Sequence, residues 1–122
     1  MSLDSPDGSL NATIDDAMEI GMGAPTRGDL VISTGLTILD CGPSIVWSHD
    51  SRYLAVPQWQ PYDNGHSQRI VVISIERNAF RPVGRKFVVL ELASFVDGIV
   101  CGIDCPATVK TPVEIDTQLI DW

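Results

Sequence analysis

An all-β fold follows from three observations on the sequence. Short apolar, β-branched runs recur every 10 to 15 residues, with turn-forming residues between them. No segment carries a 3.6-residue apolar stripe over three turns, as an amphipathic helix would. The longest unpatterned stretch, residues 57–68, is rich in proline and polar residues and reads as a connection. Together they predict antiparallel sheets packed as a sandwich or an open barrel, not β-α-β alternation. At 122 residues the chain supports one domain with one sizeable core. That domain is expected over 13–122, behind a flexible, polar leader over 1–12.

The elements follow in chain order. After the leader, "ATIDDAMEIGMG" allows a single helical turn capped by Thr13 or Asp15, or equally a strand over Ala17–Met22. "APTRGD" (24–29) has the composition of a turn. "LVIS" (30–33) and "LTIL" (36–39) are β-branched runs separated by Thr34-Gly35, and "CGPS" (41–44) interrupts the chain. "IVW" and "YLAV" flank the turn "SHDSR". "RIVVISI" (69–75) is almost continuously apolar, the pattern of a strand buried on both faces. "KFVVLEL" (86–92) and "GIVCGI" (98–103) read similarly. "TPVEID" (111–116) contains a proline and suits an edge strand. Arg77, Arg81, Arg85 and Lys86 are expected in a solvated loop between two buried strands.

The stretch "SIVWSHDSRYLAV" (44–56) carries the most information. Strand alternation puts Trp47 and Leu54 toward a core, and places Tyr53, Ala55 and Pro57 on one face with Leu54 and Val56 on the other. Asp50 and Ser48 are suited to accept backbone N–H groups within the turn. In Trp47, Ser48, Asp50, Leu54 and Ala55 the stretch resembles the inner hairpin of a blade in TolB-like and prolyl-oligopeptidase-type β-propellers, whose repeat reads approximately W-S-P-D-G-x-x-L-A. His49 replaces the usual Pro and Ser51 the usual Gly. "QRIVVISIERN" resembles the following blade strand, so the resemblance covers about residues 36–78. It implies a blade-like hairpin used as a scaffold for protein contacts. A propeller needs at least four blades of about 40 residues, so a closed monomeric propeller is excluded by length.

The formal net charge is −8, and residues 1–50 hold −7 of it. Such a balance repels nucleic acid and favours a basic protein partner. No apolar run reaches the roughly 18 residues that a membrane helix needs. The start of the chain has neither a basic n-region nor an apolar h-region, so a cytoplasmic, membrane-free protein is expected. Asn11-Ala-Thr13 matches a glycosylation sequon and, with no secretory route expected, is read as chance.

No nucleophile elbow, H-E-x-x-H or phosphate loop is present, and the carboxylates are scattered, so no catalytic residue or cofactor is assigned and no enzyme activity is expected. Cys101 and Cys105 are four apart, beside Asp104; a zinc site would need two further ligands from His49, His66, Cys41 or an acid. The plainer reading makes Cys101 a buried strand residue and Cys105 the start of a turn, and no metal site is assigned. The loop 57–68 holds Trp59, Tyr62, Asp63, Asn64 and His66, and aromatic side chains in a polar loop suit an interface. The expected function is therefore a non-catalytic protein-binding module, of inhibitor or immunity type. The alternatives are a homo-oligomeric structural module with paired sheet edges, and a metal-binding protein or enzyme using Cys101 and Cys105.

Overall fold

The computed structural model describes residues 2–19, 26–42, 44–60, 67–87, 89–104 and 111–122. Among these residues lie eleven strands and one short 3-10 turn, Thr117–Leu119. The strands are β1 Ser2–Asp4, β2 Asn11–Glu19, β3 Thr26–Ile32, β4 Thr37–Cys41, β5 Val46–Trp47, β6 Tyr53–Trp59, β7 Gln68–Ser74, β8 Ala79–Phe87, β9 Leu90–Val96, β10 Ile99–Asp104 and β11 Thr111–Asp116. The larger sheet runs β1-β2-β3-β4-β6-β7-β8, with β5 paired to β6, and the smaller runs β11-β10-β9. The larger sheet curls into an antiparallel half-barrel, and no propeller is closed. Register shifts in the β2–β3, β3–β4 and β7–β8 pairings supply the local twist that lets a sheet curl. Among the described residues no helix is long and apolar enough to cross a membrane.

The alternation in β6 and β7 organises the interior. Leu54 and Val56 on β6, with Val71 and Ile73 on β7, face one core inside the curled sheet, which also holds Ile14, Leu30, Ile32, Ile38 and Trp47. Ala55, Ile70 and Val72 face a second core against the smaller sheet, with Phe87, Leu90, Leu92, Phe95, Val100 and Val113. The register pairs Leu54 with Ile73 and Ala55 with Val72, so each core receives matched cross-strand neighbours. The near-continuous apolar run in β7 is thus a strand buried on both faces.

Several boundaries differ from the expectations. Within the polar start, β1 pairs with β2 from Ser2↔Thr13 to Asp4↔Asn11, and the Trp47 indole N–H donates to the Leu3 carbonyl at 3.1 Å. Strand pairing is a backbone property and needs no apolar side chains. Residues 11–19 are strand, not helical turn, and β3 begins at Thr26 inside the stretch read as a turn. The run 86–92 is divided, with β8 ending at Phe87 and β9 starting at Leu90. Arg81, Arg85 and Lys86 lie on β8, not in a loop. That strand is exposed along most of its length, so it lacks the apolar alternation by which strands are recognised. Pro112 on β11 does occupy an edge, opposite Ile103.

The smaller sheet is fastened to the larger one by two side chains and one backbone bond along the otherwise open edge of β9. Gln68, only 2% exposed, accepts the Leu90 N–H at 2.6 Å. The Ser44 hydroxyl donates to the Leu90 carbonyl and accepts the Leu92 N–H, both at 3.1 Å. The His49 N–H donates to the Phe95 carbonyl, also at 3.1 Å. These bonds satisfy an edge that would otherwise offer a template for strand addition. At the sheet's interior, Gly102 sits where a Cβ would lie 2.5 Å from the Glu91 carbonyl oxygen, so only glycine permits β9 and β10 to approach this closely.

Candidate functional site

The hairpin turn at 48–53 is built by its own side chains. The Ser48 hydroxyl donates to Asp50 Oδ1 at 2.6 Å and accepts the Tyr53 N–H at 2.9 Å. The same Asp50 oxygen accepts the Arg52 N–H at 3.0 Å. Hydrogen bonding by Ser48, and then by the Arg52 backbone, holds the Asp50 carboxyl below its ordinary pKa. Ser51 takes a left-handed φ of 64° and its hydroxyl accepts the Asp7 N–H at 3.1 Å. Asp7 caps its own turn in the same manner. The Ser9 backbone N–H, followed by the Ser9 and Ser5 hydroxyls, brings its carboxyl down to about 2.

A second turn faces this one. Asp97 and Gly98 join β9 to β10 with φ values of 52° and 80°, the backbone of a two-residue type I′ hairpin. The chain end is clamped onto it. Thr117 donates its N–H and its hydroxyl to the Gly98 carbonyl at 2.8 and 2.6 Å, and the Asp116 carboxylate caps the 3-10 turn at Gln118 N. Between the two turns and the 117–122 segment lies an open cleft of about 530 Å³. Its deep wall is apolar, with Val72 and Phe95 buried. Tyr53 lines it as well, its ring 6.4 Å from Phe95 and 6.2 Å from Trp122, each pair tilted by about 30°. The rim carries His49, Asp50, Asp97 and Gln118. The Arg77 guanidinium stacks 5.5 Å from the centre of the Trp122 ring. A cleft of this size, with aromatic walls and a few polar groups at its mouth, has the makeup of a small binding pocket.

A second cleft of similar size, about 570 Å³, opens between β8 and β11. Its walls include Arg81, Val83 and Gly84 on one side, and Glu114, Ile115 and Asp116 on the other. Both signs of charge, Arg81 and the carboxylates of Glu114 and Asp116, border this cleft.

Trp47 and Leu54 are paired across β5 and β6 and buried in the first core, as the strand alternation predicts. Trp59 ends β6 opposite Gln68 and is buried, 6% exposed. Tyr62, Asp63, Asn64 and His66 lie outside the described residues, as does Cys105. Cys101 is partly buried on β10 between Ser94 and Glu114. Cys41 is fully buried, and loss of solvation pushes its thiol up to about 12, which makes it unreactive at neutral pH. Among the described residues no three His, Cys, Asp or Glu side chains gather in a way that would hold a metal ion.

The cleft joins residues that sequence reasoning did not group. Asp97, Phe95, Gln118 and Trp122 are more than 40 positions from the Ser48–Tyr53 turn. The one local signal was Asp97-Gly98, a dipeptide favoured in tight hairpins, which marks a turn without indicating what the turn faces. Comparison with protein-family models, with curated proteins and with solved structures finds no match.

Proposed function

We propose that this chain is a non-catalytic protein-binding module that takes a basic partner, in the manner of an inhibitor or immunity-type protein. The observation that carries this reading is the charge layout. Residues 1–50, net −7, build β1 to β5, while Arg81, Arg85 and Lys86 gather on β8 at the opposite end of the larger sheet. A charge imbalance of this kind between two halves of a chain steers a basic partner and selects its orientation. The aromatic cleft opens at the Ser48–Tyr53 turn, where the acidic half of the chain ends, and supplies a place for specific contact.

The makeup of β8 counts against self-assembly through paired edges. Its open side carries Arg81, Pro82, Arg85 and Lys86, together with Gly84 at a φ of 74°. Charges, a proline and an irregular backbone all discourage strand addition. The experiment is a pull-down with the tagged chain at low and high salt, followed by reconstitution with the purified partner. The expected partner is basic, and its association weakens as salt rises. Recovery of no salt-sensitive partner from the native host overturns the proposal.

A further inference from the structure

We infer that the cleft between the Ser48–Tyr53 turn, the Asp97-Gly98 turn and the 117–122 segment is a receptor for an arginine side chain presented by the partner. The inference rests on the basic-partner reading and names the contact it would use. Four features of the cleft point to a guanidinium.

The wall chemistry is aromatic. Tyr53 and Trp122 lie 6.2 Å apart at a tilt of 30°, and both line the cleft. Aromatic faces attract cations, and a planar guanidinium stacks on them better than a compact ammonium does. The rim carries two exposed carboxylates, Asp50 and Asp97, and none of the residues lining the cleft is Arg or Lys, although the charge of Arg52 acts on Asp50 from outside it. An anionic ligand would be repelled, and a wholly apolar one would strip water from two carboxylates without replacing it. The Asp50 carboxylate is also held in place, by the Ser48 hydroxyl and the Arg52 N–H, and the hairpin turn fixes the Asp97 backbone, so less ordering remains when a ligand arrives. Finally, the Trp122 ring already engages a guanidinium, that of Arg77, which lies outside the set of cleft-lining residues. Arg52 and Arg77 are the nearby cations that an incoming arginine would have to tolerate. The apolar wall at Val72 and Phe95 suits the methylene stem of a long side chain.

The test is calorimetric titration of the intact chain with two end-blocked tripeptides, Gly-Arg-Gly and its uncharged isostere Gly-citrulline-Gly. Saturable binding of the arginine peptide is expected, at least about tenfold tighter than that of the citrulline peptide, a difference of about 1.4 kcal/mol. Asp97→Asn should weaken arginine binding to a similar degree while keeping the hairpin, because Asn-Gly suits the same turn. Trp122→Leu should weaken it as well. Unfolding midpoints of both variants show whether the fold is intact. Equal binding of the two peptides, absence of saturation, or unchanged affinity in a folded Asp97→Asn protein overturns the inference. The two readings fail separately. A salt-sensitive basic partner captured equally by wild type and by both variants sinks the arginine receptor and leaves the binding module standing. No such partner sinks the module, whereas the peptide titration still judges the cleft.

Discussion

The two faces of β6 and β7 are lined by neighbouring residues of the same strands, yet they have different surroundings. The face carrying Leu54, Val56, Val71 and Ile73 is enclosed by the curl of a single sheet, and all four side chains are at most 1% exposed. The face carrying Ala55, Ile70 and Val72 is covered by a separate three-stranded sheet and by the 117–122 segment. Both clefts open on that second side, and Ile120 borders each of them. A curled sheet wraps much of its inner face with its own strands. Two sheets laid together meet along a seam, and the ends of the seam remain open. Both faces are therefore buried cores, and the second also supplies concave surface along its seam.

Truncation should expose this difference most clearly. Leu54→Ala, at a fully buried site in the first core, is expected to cost about 2–5 kcal/mol in urea unfolding. Ile120→Ala, at a partly buried site beside both clefts, should cost less than about 2 kcal/mol, because less of its surface was withdrawn from water. Equal losses would break the contrast. The next largest effect falls on the seam itself. Gln68→Leu keeps side-chain volume but removes the acceptor for the buried Leu90 N–H, at an expected cost of about 1–3 kcal/mol. Hydrogen exchange should then show β9 amides opening before those of β7; uniform loss of protection would mean that the two sheets open together. The smallest effect is at the turn. Ser51→Gly relieves a left-handed residue at the loss of one partly buried hydrogen bond to Asp7, and should stabilise by up to about 1 kcal/mol. A measured destabilisation would give the Ser51–Asp7 contact a larger part in holding the amino-terminal segment than the backbone strain it accompanies.

How much was legible in the sequence varies with how each segment is buried. β7 was readable because burial on both faces requires an unbroken apolar run. The Trp47–Leu54 hairpin was readable because the turn is made by local bonds among Ser48, Asp50 and Tyr53. β8 was hidden because its residues are largely exposed and its pairing is a matter of backbone alone. β1 was hidden for the same reason, since a three-residue exposed strand leaves no hydrophobic trace. Of the cleft, the Ser48–Asp50 turn was read from the sequence, whereas Gly98 was read as the start of a strand, and the convergence of the two turns left no local trace.

The amino-acid order by itself determined the all-β class, the two-sided burial of β7 and the chemistry of the 48–53 turn, because each depends on residues within a few positions of one another. It also set the charge asymmetry, which needs no fold to be counted. Only the tertiary structure decided that Tyr53, Phe95, Asp97 and Trp122 share one cleft. Their meeting depends on Gln68 and Ser44 capping β9, and on Thr117 clamping the 117–122 segment to Gly98. Those contacts join residues 19 to 48 positions apart, and their register leaves no periodic signal in the chain.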